Sequence, residues 1–151
     1  MNIIKGDLIK LALKGRFDVI IHGCNCFNTM GAGIALQIKN NFNEAYIKDL
    51  ETKRGDFLKM GKYTSAIVKV KEKDLVIVNG YTQYRYGGKE RNVDYDAVRH
   101  LFGLIKNDFN GKKIAFPKIG CGLAGGDWNI ISNIVNEELE GEDFTLVEYN
   151  G

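Results

Sequence analysis

The stretch HGCNCFNTMGAGIALQ, residues 22–37, decides how the surrounding chain folds. The apolar run VII at 19–21 leads into it, which predicts a buried strand over 18–22. A loop of small residues follows, and then three apolar residues recur at helical spacing, Ile34, Ile38 and Phe42. The stretch therefore predicts a strand, a loop and a helix in succession.

A second stretch, PKIGCGLAGGDW at 117–128, repeats this arrangement late in the chain. It follows the predicted strand KIAF at 113–116 and precedes a helical stripe that Asp127 can cap, formed by Ile131, Ile134, Val135 and Leu139. Loops at the carboxyl ends of neighbouring parallel strands line one ligand crevice. The sequence therefore predicts that the two stretches face a common site.

The rest of the chain alternates between β-rich and helical patterns. Further strands are predicted at 2–4, 63–70, 75–78 and 144–149, and further helices at 8–13 and around the stripe Val98, Leu101, Phe102, Ile105 and Phe109. This alternation predicts a single α/β domain over 1–151, a three-layer α/β/α sandwich whose central mixed sheet carries helices on both faces.

Composition narrows the classes of partner. The 21 basic and 19 acidic residues are spread along the chain and leave a net charge of +2, so extended nucleic-acid binding is disfavoured.

The apolar runs are far shorter than the roughly 20 residues of a membrane span. MNIIKGD lacks the pattern of a secretory signal, which predicts a cytoplasmic protein, and a monomer is the simplest expectation.

The three cysteines are interpreted as reduced thiols. Cys24 and Cys26 are too close in sequence for an ordinary structural disulfide. Together with His22 and Cys121 they form a set of soft ligands, but the CxxC-type spacings typical of structural zinc are absent. No metal and no cofactor is predicted.

Glycine is the common element of the two predicted loops. Gly31 and Gly33 allow the backbone to approach a bound group, and the N–H groups that open the following helix are suited to a phosphate. The chain lacks the GxxxxGKS pattern of a nucleotide-binding P-loop, and GCGLAG matches GxGxxG too near the chain end for a dinucleotide-binding domain. A tight turn that needs glycine only for packing is the alternative.

The segment 83–92, with YRYGGKER at its centre, is too polar to be core and is predicted to be a mobile loop. It is interpreted either as a solvated connection or as a lid over the ligand.

These motifs together resemble a macro domain: KGDL near the start, HGCN followed by MGAGIA, and PKIGCGLAGGDW before the last helix. The resemblance covers nearly the whole chain and is closest to the branch of small proteins similar to ADP-ribose 1''-phosphate phosphatases. It implies the macro fold and ADP-ribose, or a close derivative, as the small-molecule ligand.

The resemblance also implies contacts for individual residues. Asp7, with Leu8 beside it, matches the position that binds adenine, and Asn25 the one near the distal ribose. Two segments are expected to hold the distal ribose and the diphosphate, namely Gly31, Ala32, Gly33 and Ile34, and Gly120, Cys121, Gly122, Leu123, Ala124 and Gly125. Tyr81, Thr82 or Tyr149 is expected to border the adenine or ribose.

His22 and Asp127 are the candidate catalytic residues that the resemblance implies. A histidine at a strand end suits either proton role near neutral pH, whereas His100 lies inside a predicted helix. The alternatives are structural: His22 as a hydrogen-bond partner of the loop backbone, and Asp127 as a helix N-cap.

The chain departs from another macro branch, which removes ADP-ribose from acceptors with a lysine after a central strand. Tyr81, Thr82 and Gln83 stand near that place, and Ala124 stands where some members have an aspartate, although Lys89 lies in the neighbouring loop. The leading hypothesis is hydrolysis of the terminal phosphate of ADP-ribose 1''-phosphate. The alternatives are a non-catalytic ADP-ribose reader and a hydrolase of ADP-ribosyl or O-acyl-ADP-ribose esters.

Overall fold

A computed structural model describes residues 1–149. Its strands are β1 (Asn2–Lys5), β2 (Val19–Cys24), β3 (Tyr63–Val70), β4 (Lys73–Tyr81), β5 (Lys113–Phe116) and β6 (Asp143–Glu148). Its helices are α1 (Leu8–Leu13), α2 (Gly33–Asn41), α3 (Asn43–Leu50), α4 (Tyr95–Asp108) and α5 (Trp128–Glu138), with a short 3₁₀ helix at Phe57–Lys59.

The six strands form one mixed sheet in the order β1-β6-β5-β2-β4-β3. All neighbouring pairs are parallel except β3 with β4, which are antiparallel. Five strands therefore point their carboxyl ends at the same edge of the sheet, and β2, β4 and β5 lie next to one another there. The loops that follow these three strands meet at this edge.

Helices cover both faces of the sheet, as predicted. One apolar cluster packs α4 and α5 against the sheet, with Phe102 and Phe116 in an edge-to-face contact at its centre. A second cluster packs α1, α2 and Phe42 against the other face. The predicted three-layer macro-type α/β/α architecture is thus confirmed.

Helix α3 and the 3₁₀ helix were not predicted from the sequence. The buried residues of α3 are Ala45 and Asp49, while Ile47 and Leu50 are about half exposed. A helix that buries an aspartate and exposes its larger apolar residues has no readable apolar stripe. Strand β4 is also longer than predicted, because Asn79–Tyr81 continue the pairing with β2.

None of the helices within residues 1–149 is long and apolar enough to cross a membrane.

Candidate functional site

A cavity of about 620 Å³ opens at the carboxyl ends of β2, β4 and β5. Three loops surround it: the first loop (25–32) after β2, the second loop (117–127) after β5 and the third loop (82–94) after β4. The wall consists of Gly23, Cys24, Asn25, Thr29, Gly31, Ala32, Gly33, Ile34, Ala35, Gln83, Tyr86, Gly87, Gly88, Pro117, Lys118, Ile119, Gly120, Gly122, Leu123 and Ala124. The two glycine-containing stretches singled out from the sequence therefore face one site.

The first loop is shaped by the side chain of Asn25. Its Oδ1 accepts a hydrogen bond from the Phe27 N–H at 2.8 Å, and its Nδ2 donates to Thr29 Oγ1 at 2.8 Å. The loop then delivers the chain to α2, whose N-cap residue Ala32 makes no side-chain hydrogen bond to the helix. The first N–H groups of α2 therefore lie at the cavity without a side-chain acceptor, in an arrangement that favours an anion.

The second loop depends on glycine for its close turn. The Gly126 N–H donates to the Gly120 carbonyl oxygen at 2.6 Å. A Cβ at Gly126 would lie 2.6 Å from that same oxygen, and one at Gly120, where φ is +76°, would lie 2.7 Å from Val93. Only glycine fits at these two positions. The turn leaves Gly122 and Leu123 exposed at the cavity.

The third loop forms the remaining wall and is tied to the second. Its Asn92 N–H donates to the Ala124 carbonyl at 2.8 Å, and Asn92 Nδ2 donates to the Gly87 carbonyl at 2.7 Å. Gln83, Tyr86 and Gly87 line the cavity. The segment 83–92, interpreted either as a solvated connection or as a lid, thus borders the cavity, while its motion stays a prediction.

The cavity wall carries little charge. Among residues 1–149 it includes no Asp, Glu or His side chain, and Lys118 is its one cationic side chain. Burial raises the pKa of the Cys24 thiol well above its ordinary value, with the nearby Asp49 carboxylate adding to the shift. Cys24 is therefore a neutral thiol near pH 7 and a poor nucleophile.

The described residues also lack a cluster of three or more His, Cys, Asp or Glu side chains that could hold a metal ion.

Comparison with known proteins identifies the family. The family model described as "Macro domain" matches residues 21–135, which include all three loops of the cavity. The chain belongs to the macro domain family.

Three relatives are similar to this macro domain over nearly its whole length. A 17.5 kDa protein from the tk-vs intergenic region of Enterobacteria phage T4 is 34% identical, over 97% of this chain and 94% of the relative. The ADP-ribose glycohydrolase OARD1 of Bos taurus is 26% identical, over 97% and 88%. The ADP-ribose 1''-phosphate phosphatase of Saccharomyces cerevisiae is 22% identical, over 96% of each.

The solved macrodomain of Thermus aquaticus DarG superposes with a TM-score of 0.74 at 18% identity, covering 99% of this chain and 97% of that one. At this identity the likeness establishes the fold.

Within this macro domain, His22 is not part of the cavity wall but lies behind it, with its Nε2 3.5 Å from the Sγ of the wall residue Cys24, and its catalytic role stays a prediction. Strand β2 continues to Cys24, and the His22 side chain points into the layer between the sheet and α3, where it has no exposed surface. Its Nε2 donates to Asn79 Oδ1 at 2.7 Å. Burial lowers the pKa of His22 to about 4, an effect that the Asn79 contact partly opposes. The imidazole is therefore neutral near pH 7.

His22 begins a chain of buried hydrogen bonds beneath the cavity. Asn79 Nδ2 donates to Thr64 Oγ1 at 3.0 Å, Thr64 Oγ1 lies 3.0 Å from the Tyr81 hydroxyl, and that hydroxyl donates to Asp49 Oδ1 at 2.7 Å. Burial raises the pKa of Asp49, while Tyr81 acts in the opposite direction. Tyr81, predicted to border the ligand, is instead a buried member of this network.

Asp127 is exposed and also lies outside the cavity wall. It is the N-cap of α5, and its Oδ1 accepts from the Asn129 N–H at 2.8 Å. Its own N–H donates to the Tyr95 hydroxyl at 3.1 Å. The structure therefore shows Asp127 as the N-cap of α5, and its catalytic role stays a prediction.

Four other residues that were predicted to contact the ligand lie outside the cavity wall. Asp7 caps α1 through Lys10, and Leu8 is buried in the apolar cluster on that face. Cys121 turns its thiol toward the Ile119 carbonyl, and Gly125 packs on the Arg91 backbone. Asp7 nevertheless follows β1 at the same edge of the sheet as the cavity, and its contact with a ligand stays a prediction.

Thr82 is fully buried and stands behind the wall rather than in it. Its hydroxyl lies 2.8 Å from where a Cβ at Gly23 would be, and it has no hydrogen-bond partner among the described residues. Gly23 therefore separates Thr82 from the cavity.

Several wall residues were missed by sequence reasoning. Cys24 was considered only as a reduced thiol and a possible metal ligand, and Thr29 carried no signal of its own. Pro117, Lys118 and Ile119 directly follow a predicted strand, and the rule that ligands bind beyond strand ends was sufficient to include them.

Proposed function

We infer that this macro domain binds ADP-ribose, or a close derivative, in the cavity between its first and second loops. One observation carries the inference: two loops rich in glycine and the first turn of α2 line the same space, and no carboxylate among residues 1–149 lines that space. A diphosphate is the group best suited to such a wall, because its charge is met by amide donors and by the amino end of α2.

The inference extends to hydrolysis of the terminal phosphate of ADP-ribose 1''-phosphate. In that reaction water attacks phosphorus, the bond to the ribose oxygen breaks, and that oxygen takes up a proton. The resemblance to the phosphatase-like branch and the likeness to the yeast phosphatase over nearly the whole chain support this substrate. Asp127 is an exposed carboxylate close in sequence to the wall residue Ala124, whereas His22 is fully buried and would act only through other residues.

A non-catalytic reader of ADP-ribose is the second candidate, and one observation favours it. Within residues 1–149 the wall offers no imidazole or carboxylate for proton transfer, whereas general acid–base catalysis requires such a group within hydrogen-bond reach of the reacting atoms. The same loops bind ligand equally well without one.

The test begins with titration calorimetry of the purified protein with ADP-ribose, using AMP and NAD as controls. Phosphate release from ADP-ribose 1''-phosphate is then measured beside release of ADP-ribose from O-acyl-ADP-ribose and from ADP-ribosylated acceptors. Selective binding with phosphate release supports the phosphatase, and binding without turnover of any substrate supports the reader. Absence of ADP-ribose binding overturns both.

A further inference from the structure

The first loop is held in place by the segment 51–62, which connects α3 to β3 and is called here the brace. The structure describes the whole brace, and none of its residues belongs to the cavity wall. The Gly55 N–H donates to the Cys26 carbonyl at 2.7 Å, and Asn28 Nδ2 donates to the Thr52 carbonyl at 2.9 Å. The brace thus contacts the middle of the first loop, a part that does not itself line the cavity.

The brace contains a buried cation, Lys59, which is only 9% exposed. Its Nζ donates to Asn28 Oδ1 and to Thr52 Oγ1, both at 2.9 Å, and lies 5.3 Å from the ring centroid of Tyr81. Within residues 1–149 it forms no salt bridge. Burying an ammonium group without a carboxylate partner costs free energy, so packing alone gives no reason for a lysine at this position.

Asn28 is the residue of the first loop that accepts the hydrogen bond from Lys59. Its φ is +60°, in the left-handed region that asparagine adopts more readily than most residues. Both ends of its side chain are bonded to the brace, since Oδ1 accepts from Lys59 and Nδ2 donates to Thr52. Asn28 directly precedes the wall residue Thr29, so its backbone conformation sets the direction in which the chain continues along the cavity.

The charge of Lys59 also acts on the cavity wall. Burial raises the pKa of the wall thiol of Cys24, and the Lys59 ammonium opposes that rise. Burial likewise raises the pKa of Cys26 to about 11, again against the effect of Lys59. Loss of this cation would therefore weaken the binding of an anion in two separable ways, by loosening the first loop or by lowering the potential at the wall. The direct hydrogen bond to a left-handed residue favours the first.

We propose that Lys59 is a positioning residue for ligand binding, which acts through Asn28 and holds the first loop in the form that receives ADP-ribose. The proposal rests on the proposed function for the identity of the ligand. A loop that is already ordered loses little conformational freedom when the ligand arrives. Without the contact between Lys59 and Asn28 only a fraction of the molecules would present the competent loop, and the affinity would fall by that fraction.

The test is a double-mutant cycle measured by titration calorimetry with ADP-ribose. Lys59→Met keeps the length of the side chain and removes the donor, whereas Asn28→Gly removes the acceptor, keeps the cation and suits the left-handed backbone. Each is expected to lower the affinity by about tenfold. The double variant is expected to lose no more than either single variant, because both break the same contact. Lys62→Met, which removes an exposed charge from the same brace, is the matched control and is expected to bind like the wild type.

Hydrogen exchange of the ligand-free protein provides a readout that does not depend on the ligand. In Lys59→Met and in Asn28→Gly the amides of Phe27 and Gly55 are expected to exchange about tenfold faster, and those of β2 to change much less, since the opening is local. Lys62→Met is expected to leave both groups of amides unchanged. Equal increases in the loop and in β2 would mean that Lys59 only stabilises the fold, which would overturn the proposal.

Two results of the calorimetry would also overturn it. A loss in Lys59→Met with full affinity in Asn28→Gly would assign the effect of Lys59 to its charge alone. A loss of roughly a hundredfold in the double variant, the product of the two single losses, would show that the residues act independently. If the wild type fails to bind ADP-ribose while hydrogen exchange follows the expected pattern, the proposed function fails and the positioning of the first loop by Lys59 stands.

Discussion

His22 Nε2 lies 2.7 Å from Asn79 Oδ1 across the pair β2 and β4, so the imidazole is a hydrogen-bond donor sealed between the sheet and α3. Its neutral form is the one that the fold accommodates. This contact links the free energy of unfolding of the macro domain to pH.

The free energy of unfolding is expected to fall by about 2 kcal/mol between pH 7 and pH 5 through His22 alone. The pKa of His22 is about 4 in the folded protein and 6.5 in an unfolded chain. Between these values the unfolded chain binds the extra proton, so stability is present above pH 6.5 and is lost as pH falls toward 4. Denaturant titrations at the two pH values check this. His22→Gln is expected to flatten the dependence, and His100→Gln, at an exposed position on α4, to leave it steep.

Tyr81→Phe is expected to destabilise the fold by about 1 to 3 kcal/mol, because it removes the donor to a buried Asp49 carboxylate. Tyr63→Phe is the matched control, since it deletes a 2.6 Å hydrogen bond to Asp108 at an exposed site. Denaturant unfolding of the two variants compares a buried with an exposed tyrosine–aspartate contact. Equal losses of unfolding free energy in the two variants would contradict the larger effect expected for the buried contact.

Gly126→Ala is expected to lower both the melting temperature and the affinity for ADP-ribose. Its methyl group would meet the Gly120 carbonyl oxygen at 2.6 Å, so the second loop must open. Gly122→Ala has no atom within 4 Å of the added carbon and is expected to melt like the wild type. Thermal melts with parallel calorimetry distinguish the two variants, and a normal melt for Gly126→Ala would show that the loop adapts.

Two replacements of Asp127 distinguish its role as a helix N-cap from a role in proton transfer. Asp127→Ala is expected to cost about 1 kcal/mol as α5 loses its N-cap, whereas Asp127→Asn retains the cap and the stability. If Asp127 takes part in proton transfer, phosphate release from ADP-ribose 1''-phosphate stops in both variants. Full turnover by Asp127→Asn would show that Asp127 acts only as the N-cap of α5.

Lys118→Ala is expected to weaken ADP-ribose binding and to lower its dependence on salt, because Lys118 is the one cationic side chain in the described cavity wall. Lys112→Ala, at the opposite edge of the sheet, serves as the control. Calorimetry at two salt concentrations checks the prediction, which a similar loss in both variants would contradict.

Periodicity and turn residues were sufficient to predict all six strands and helices α1, α2, α4 and α5. They failed for α3, since burying Ala45 and Asp49 leaves no apolar stripe. Gly31, Gly33, Gly120 and Gly122 were predicted for the site because glycine signals close backbone approach, whereas the wall residues Gly23, Gly87 and Gly88 were not. The direction of His22 was not predictable, because it depends on where β2 ends and on what β4 places opposite. The contact between the rings of Phe57 and Tyr84 was likewise not predictable, because these residues meet only after the chain has folded.

The two helices that start beside the glycine loops differ in how they begin. Asp127 completes the first turn of α5, whereas Ala32 leaves that of α2 open at the cavity. A bound anion would therefore become the missing cap of α2, and filling the site would also finish a secondary-structure element. Part of the binding free energy then offsets the ordering of the first turn of α2. We expect the amide hydrogens of this turn to exchange with solvent more slowly when the site is filled.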